Sequence, residues 1–154
     1  YTDTCIMSLG TISVTYNQSI LIQETIRHKK SGFLASTPCT YIMPCLKSPA
    51  FQTVLSNADK FTKRGKITLD FSVNEEKQMA IFSVTDTGCG IPKEKQGLVF
   101  ERFEKLNEYA QGTGLGLSIC KLIVHKWKGD IWIDSEYTGG ARFIFSHPLK
   151  IEKE

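Results

Sequence analysis

The stretch that decides the fold of this 154-residue chain ends an alternating apolar run and reads Val84-Thr85-Asp86-Thr87-Gly88-Cys89-Gly90-Ile91-Pro92. Alternation over residues 79–85 predicts a strand that delivers Asp86 at its end. Residues 66–73 alternate strictly as well, and the polar segment 74–78 between the two runs is short. Because parallel strands need a much longer connection, the two strands are predicted to form an antiparallel hairpin.

A second glycine run leads into a predicted helix and reads Gly112-Thr113-Gly114-Leu115-Gly116-Leu117-Ser118. Apolar residues then recur at helical spacing to about Trp127, before Gly129. Backbone amides at a helix start can hold phosphates. A dinucleotide-binding fold needs a strand directly before the glycines, and a Walker loop needs a lysine where Leu117 stands. These residues alone are compatible with two interpretations of the glycine run, a phosphate-binding segment and a simple glycine hinge.

Residues 93–111, here called the cover, separate the two glycine runs and have no single period. Long segments of this kind inside compact domains are usually functional covers or disordered. The cover is therefore predicted to be movable and to lie over a nucleotide pocket. Its polar sequence is interrupted by a short apolar cluster, Leu98, Val99, Phe100 and Phe103.

The remaining elements complete an α+β domain. Pro49 suits the first turn of a helix whose apolar residues recur up to Phe61. Residues 131–133 and the pair Phe143 and Phe145 predict a last hairpin across a glycine-rich turn. The order helix, hairpin, cover, helix, hairpin predicts a two-layer α/β sandwich with a mixed, mostly antiparallel sheet and helices on one face.

One domain is predicted, with residues 49–150 as its core and residues 1–48 as an N-terminal part with weaker patterns. In that part, alternation predicts one or two short strands, the first through Ile12, Val14 and Tyr16 and the second through Ile20 and Ile22.

Composition excludes several classes of protein. The chain is 41% hydrophobic and 23% charged, which is ordinary for a globular domain. A net charge of +3 is too small to favour nucleic acid or an anionic membrane as the main partner. No apolar run reaches the ~18 residues of a membrane span, and no signal peptide is recognisable. The five cysteines contain no C-x-x-C pair, so free thiols in a reducing cytoplasm are expected rather than zinc or thioredoxin-like chemistry.

Three polar residues stand out as candidate ligands. A carboxylate at a strand end, such as Asp86, can accept a hydrogen bond from an exocyclic amine, and the glycines beside it let a flat ring approach the backbone. Asn57 has an amide oxygen of the kind that Mg²⁺ accepts, and Lys60 lies nearly one turn further along the same helix. The structural alternatives are an ordinary Asp-Thr-Gly turn and a solvated helix face.

Taken together and in order, four motifs resemble those of the sensor histidine kinases. Residues 55–62, Leu-Ser-Asn-Ala-Asp-Lys-Phe-Thr, resemble the N box, and residues 86–92 resemble the first glycine box. Residues 99–103, Val-Phe-Glu-Arg-Phe, resemble the phenylalanine box, and residues 112–119 resemble the second glycine box. The resemblance extends over roughly residues 50–148.

The resemblance implies the Bergerat fold, with ATP and Mg²⁺ between the N-box helix and the cover, which would be the ATP lid. It implies a catalytic pair in which Asn57 holds Mg²⁺ and Lys60 contacts phosphate, while Asp86 binds the adenine amine. Phe100, with Phe103, would anchor the lid or dock on a partner domain. The other implied cofactor-binding residues are the base-pocket glycines Gly88 and Gly90, the phosphate-binding glycines Gly112, Gly114 and Gly116, and the neighbouring Ile91, Thr113 and Leu115.

The sequence departs from the family at two places. Many members have Asp and Arg before the N-box helix, where this chain has Ile42-Met43-Pro44-Cys45. The gyrase and chaperone ATPases of the wider superfamily use a glutamate where Thr53 stands. A threonine is not a general base at neutral pH, so efficient intrinsic hydrolysis is not expected.

A phosphoacceptor is also missing. In the family it is a histidine followed by an acidic residue, whereas His28, His125 and His147 are followed by Lys, Lys and Pro. The leading hypothesis is therefore the ATP-binding catalytic domain of a two-component sensor histidine kinase, whose acceptor lies on a separate dimerisation domain. The alternatives are a degenerate domain that senses nucleotide or docks partners, and a gyrase- or chaperone-like ATPase.

The implied partners are the histidine-bearing dimerisation domain of the same kinase and a downstream response regulator. No nucleic acid and no membrane contact is expected. The fragment is expected in the cytoplasm, as part of a larger sensor that can be membrane-anchored.

Overall fold

A central antiparallel hairpin carries Asp86 at the end of its second strand. The computed structural model describes residues 10–16, 26–28, 48–74, 76–105 and 112–148. Within them lie the helices α1 (Pro49–Phe61), α2 (Lys93–Gln96) and α3 (Gly116–Lys126). The strands are β1 (Gly10–Tyr16), β2 (Ile26–His28), β3 (Gly65–Asn74), β4 (Met79–Asp86), β5 (Ile131–Ile133) and β6 (Arg142–Pro148).

The six strands form one sheet in the order β2-β1-β3-β4-β6-β5, and each neighbouring pair is antiparallel. In the β3–β4 register Ile67 pairs with Asp86, and in the β4–β6 register Thr85 pairs with Arg142. The predicted two-layer α+β fold, the central hairpin and the last hairpin are confirmed. The sheet was predicted to be mixed, but every pair among the described strands is antiparallel, as expected for strands joined by hairpins. The predicted strand through Ile12 is present, whereas the one around Ile20 lies outside the described residues.

Two short elements were not predicted, the helix α2 and the strand β2. The sequence of α2, Lys-Glu-Lys-Gln, has no apolar residue, and that of β2, Ile-Arg-His, has one, so neither shows the apolar alternation that predicts the equally short β5. None of the helices in the described segments is long and apolar enough to cross a membrane.

The core lies between α1 and α3 and the sheet face that they cover. Phe82 is fully buried and stacks on Phe145, with ring centroids 5.0 Å apart, and Phe51 from α1 meets Phe145 edge-on at 5.7 Å. Val54 from α1 and Val124 from α3 are also fully buried. This packing fixes the position of both helices against the strand that ends at Asp86.

The ends of α1 are set by local chemistry. Ser48 is its N-cap, and its hydroxyl oxygen accepts a hydrogen bond from the Phe51 amide at 3.2 Å. Pro49 follows at the first helical position, where its missing N–H costs nothing. At the other end Thr62 is the C-cap, and its amide donates to the backbone carbonyl of Asp59 at 3.3 Å. The predicted helix is therefore confirmed, and its last turn carries Asn57 and Lys60.

Candidate functional site

A cavity of about 600 Å³ lies where the last turns of α1 approach the first turn of α3. Its volume is within the usual range for sites that take small molecules and cofactors. The first part of the cover forms its third side. The lining residues are Ser56, Asn57, Lys60, Phe61, Lys95, Leu98, Val99, Glu104, Lys105, Gly112, Thr113, Gly114, Gly116 and Leu117.

Six of the predicted site residues line this cavity. The fold thus brings residues of α1 next to a glycine run that lies more than fifty positions further along the sequence. Asn57 is half-buried and Lys60 is exposed. The ammonium of Lys60 lies close to the glycine run, because a Cβ placed on Gly112 would be 3.5 Å from Lys60 Nζ. The other predicted residues on the wall are Thr113, Gly114 and Gly116.

Asp86 lies beside the cavity rather than on its wall. The residue is 3% exposed, and its Oδ1 accepts hydrogen bonds from the amides of Gly88 at 2.9 Å and Ala141 at 3.2 Å. A Cβ on Gly88 would lie 2.3 Å from the carbonyl oxygen of Phe61, which is itself a lining residue. The first glycine box therefore packs directly against the end of α1, next to the cavity.

Four further predicted residues are also not on the cavity wall within the described part of the chain. Gly90 and Ile91 continue the loop after Asp86, and Gly90 packs on Gly140. Leu115 is the N-cap of α3, and its carbonyl accepts from Ile119 and from the Ser118 hydroxyl. Phe100 is half-buried and meets Phe143 edge-on at 6.2 Å, so it fastens the cover to the core.

The first turn of α3 is open to a ligand. Its N-cap, Leu115, gives no side-chain hydrogen bond to the helix amides, in contrast to Ser48 on α1. Gly116 begins the helix, and a Cβ there would lie 3.0 Å from Thr53 Cγ2, so there is little room for a side chain. Unpaired first-turn amides and the positive end of the helix dipole together favour an anion at this position.

The middle of the cover is fastened to the second glycine run by backbone contacts. The Phe103 amide donates to the Gly114 carbonyl at 3.0 Å. Gly114 has φ +72°, and a Cβ there would lie 2.8 Å from the Phe103 carbonyl carbon. Phe103 itself has φ +66° and is 71% exposed. Only glycine fits at position 114 without displacing this segment.

Sequence reasoning missed several residues at the site. Lys95, Glu104 and Lys105 line the cavity, so with Lys60 its charged residues are three lysines and one glutamate. The signal for the missed lysines is weak, because charged residues are frequent throughout the cover. Thr62 was missed as well: it is 1% exposed, and its Oγ1 has no hydrogen-bond partner among the described residues. That oxygen would be 2.9 Å from a Cβ on Gly88, so it lies beside the first glycine box.

Thr53 and Cys120 provide no reactive group. The Thr53 hydroxyl donates to the Pro49 carbonyl at 2.8 Å, within its own helix. Cys120 is 1% exposed, and its thiol donates to the Ala50 carbonyl at 3.4 Å. Burial raises the pKa of Cys120 to about 11, against 9.0 for an ordinary thiol. Cys120 is therefore a packing residue.

Two histidines have described side chains, and both have structural contacts. His125 Nε2 lies 3.1 Å from Asp130 Oδ1 at the surface. His147 is buried, with Nδ1 2.6 Å from the Pro148 carbonyl oxygen and its ring against Trp127. Neither lines the cavity. Within the described residues there is also no group of three or more His, Cys, Asp or Glu side chains that could hold a metal ion.

An antiparallel sheet with helices on one face, and a cavity between an asparagine-bearing helix and a glycine-rich helix start, define a nucleotide-binding domain of the Bergerat type. Comparison with known proteins agrees. Residues 49–151 match the profile of the histidine kinase-, DNA gyrase B-, and HSP90-like ATPase family, and the chain belongs to that family.

Similar proteins include the sensor histidine kinase WalK of Bacillus subtilis (strain 168), at 41% identity over 106 residues, 66% of this chain and 17% of that protein. Among solved structures, the mycobacterial sensor histidine kinase MprB has a TM-score of 0.59 at 31% identity, covering 65% of this chain and 70% of that one. Full-length ShkA, solved in complex with AMPPNP, has a TM-score of 0.58 at 31% identity, covering 65% of this chain and 20% of that one.

These similarities support the prediction of an ATP-binding catalytic domain of the sensor histidine kinase type over its two alternatives. The chain spans only about a sixth to a third of the length of the curated relatives it matches.

Proposed function

We propose that this domain binds ATP with Mg²⁺ in the cavity and transfers the γ-phosphoryl group to a histidine on a separate dimerisation domain. One observation carries the proposal: Asn57, Lys60 and the second glycine run line one cavity, and Gly88, two residues after Asp86, packs on the Phe61 carbonyl at its edge. Such a site has separate places for a base, a chain of phosphates and a cation.

The base end of the site would be formed by Asp86, Gly88 and Thr62. A carboxylate has about four acceptor positions, and the two backbone amides that reach Asp86 converge on Oδ1. Acceptor capacity is therefore left for the exocyclic amine of adenine. The unpaired, buried hydroxyl of Thr62 also fits a polar ligand here, because a buried polar group without a partner costs about 1–3 kcal/mol.

The phosphate end would be formed by Lys60 and the first turn of α3. Three lysines on the wall, Lys60, Lys95 and Lys105, give the cavity a positive charge that suits the triphosphate. The amides in the first turn of α3, which receive no hydrogen bond from the N-cap side chain, would add donors for the phosphates. Catalysis at such a site is mainly positioning and charge neutralisation.

The donor set also fits Mg²⁺. Magnesium in phosphoryl-transfer sites is commonly held by one or two protein oxygens together with phosphates and waters, so a cluster of carboxylates is not required. Asn57, half-buried on the cavity wall, would provide that protein oxygen. The cation, when bound, would neutralise phosphate charge as the γ-phosphoryl group departs.

The reaction would need a second domain to supply its acceptor. Thr53 is committed to a hydrogen bond within α1, and neither His125 nor His147 faces the cavity. The domain is thus suited to hold ATP for an incoming histidine, since α1 provides no general base at Thr53. By analogy with the sensor kinases it resembles, that histidine would lie on the dimerisation domain of the same kinase. A response regulator would then receive the phosphoryl group, and the domain would work in the cytoplasm, where ATP is available.

Nucleotide titration of the chain tests the binding part of the proposal. ATP affinity should rise with Mg²⁺ in the unmodified chain, and Asn57→Ala should remove most of that increase. Asp86→Asn should weaken ATP binding at least tenfold: the amide oxygen would keep the two backbone hydrogen bonds, so the NH2 group would face the adenine amine, donor against donor. Undiminished ATP affinity in Asp86→Asn would refute the base assignment.

The transfer part needs an acceptor. With γ-labelled ATP, label should appear on an added histidine-bearing dimerisation domain only when this chain is present, and not on the chain alone. ATP binding without label transfer would refute the phosphotransfer proposal, and steady release of phosphate without acceptor would instead indicate an ATPase.

A further inference from the structure

Behind Asp86, on the sheet face away from the helices, three side chains from the last hairpin form a connected group. Tyr137 donates its hydroxyl to the backbone carbonyl of Asp86 at 3.2 Å. Its ring packs against the guanidinium of Arg142, with the Arg142 Cζ 4.4 Å from the ring centroid. Arg142 in turn donates to Asp134 Oδ2 and to Thr85 Oγ1, both at 3.0 Å. We call Asp134, Tyr137 and Arg142 the rear support.

Several hydrogen bonds and one ion pair hold the side chains of the rear support in a fixed arrangement. Both ends of its ion pair are partly shielded, with Arg142 35% and Asp134 24% exposed at their side chains. Asp134 also accepts a hydrogen bond from the Glu136 amide at 3.1 Å, and its own amide donates to the Arg142 carbonyl at 2.9 Å. Arg142 therefore has a fixed orientation, and it fixes the tyrosine ring that lies on it.

The turn between β5 and β6 holds Asp86 by its backbone and by its carboxylate. The Ala141 amide reaches the carboxylate, and the Asp86 amide donates to the Ala141 carbonyl at 2.8 Å. Gly140 lies so close that a Cβ there would be 2.1 Å from the Asp86 carbonyl oxygen. Any movement of this turn is therefore transmitted to the carboxylate of Asp86.

We propose that Tyr137 is a positioning residue for base recognition: by holding the Asp86 carbonyl, and with Arg142 and Asp134 behind it, it fixes the direction of the Asp86 carboxylate. The inference rests on the proposed function, in which that carboxylate accepts from the adenine amine. Tyr137 touches no nucleotide in this scheme, so its effect is on discrimination between bases and not on phosphate binding.

The test compares two nucleotides that differ in the group that Asp86 would recognise. ATP carries the exocyclic amine, and inosine triphosphate has a carbonyl in its place. Tyr137→Phe keeps the ring on Arg142 and removes only the hydroxyl. It should weaken ATP binding about 2- to 12-fold, the range of one net hydrogen bond, while inosine triphosphate affinity stays within about twofold. Arg142→Lys should reduce the ATP preference in the same direction, because lysine lacks the planar fork.

The matched control is Ser83→Ala, which removes a hydroxyl from the same strand three residues before Asp86 and should change neither affinity. Equal weakening of both nucleotides in Tyr137→Phe, or no weakening of ATP, would overturn the inference. Thermal melting establishes that each variant is folded, and Arg142→Lys decides the question with the same two nucleotides if Tyr137→Phe does not fold. Asp86→Asn distinguishes failure of the base assignment from failure of the role of Tyr137. If this variant still prefers ATP over inosine triphosphate, the base assignment fails. If it abolishes the preference while Tyr137→Phe does not, only the role of Tyr137 fails.

Discussion

Replacing Gly114 with alanine places a methyl group against backbone atoms of the cover. The new Cβ would lie 2.8 Å from the carbonyl carbon of Phe103 and 2.9 Å from the carbonyl oxygen of Glu104. Flexible side-chain ends can yield to such a contact, but these atoms belong to a segment tied to Gly114 by the hydrogen bond from the Phe103 amide. Gly114 also has φ +72°, a conformation that costs a residue with a side chain about 1–2 kcal/mol.

The cost can be estimated from these two effects. Left-handed strain of about 1–2 kcal/mol, together with loss of one backbone hydrogen bond at about 0.5–1.5 kcal/mol, gives about 1.5–3.5 kcal/mol. ATP binding is expected to require the conformation in which the cover is hydrogen-bonded to the second glycine run. The cost of forming that conformation in the variant then lowers ATP affinity by about 10- to 400-fold. Global stability should fall much less, because residues 101–105 are exposed and contribute little to the core.

Titration of ATP by fluorescence or calorimetry, beside thermal melting of the same samples, measures both effects. Gly97→Ala is the matched control: it also lies in the cover, but a Cβ there meets nothing within 4 Å, so its ATP affinity should be unchanged. Normal ATP binding by Gly114→Ala would refute the reasoning. So would a loss of melting temperature large enough to account for the whole loss of binding.

Two further predictions concern the core. Phe82→Ala removes a fully buried ring stacked on Phe145 and should lower the free energy of unfolding by about 3–5 kcal/mol in urea titrations; a loss below 1 kcal/mol would contradict the packing described. Because burial raises the folded-state pKa of Cys120 from 9.0 to about 11, its stabilising contribution is complete below pH 9 and is lost as the pH rises through 11. Between pH 8 and 11 the free energy of unfolding should therefore fall by up to about 2–3 kcal/mol more in the unmodified chain than in Cys120→Ala. If the free energies of the two proteins change in parallel with pH, this prediction is wrong.

Local sequence patterns predict most of the longer helices and strands, because each pattern reflects either the burial of one face of an element or the chemistry at its end. The helix α1 has its proline at the first position and its apolar residues on one face, and the structure adds only the Ser48 cap. Likewise the alternation that ends at Asp86 marks a strand buried on one face by α1 and α3. Periodicity and turn chemistry were therefore sufficient where an element is long enough to repeat.

The rear support could not be predicted in the same way. Tyr137 and Asp86 are 51 residues apart, and Arg142 reaches Thr85 only because the β4–β6 register places the two side by side. That register depends on packing between the strands. The sequence of the turn, residues 135–140, does not predict it. The lysines of the cavity wall were missed for a related reason, since their shared location depends on how the cover folds back over α1.

The last turn of α1 is the element that joins both ends of the proposed site. Asn57 and Lys60 lie on the cavity wall, the Phe61 carbonyl packs against Gly88, and the unpaired Thr62 hydroxyl lies beside that same glycine. A small rotation of α1 would therefore move the proposed metal ligand, the phosphate contact and the base pocket together. The position of α1 is set in turn by Phe51 and Val54 in the core, neither of which lines the cavity. Since interiors are close-packed and transmit strain, the packing of those residues should govern nucleotide affinity as well as stability.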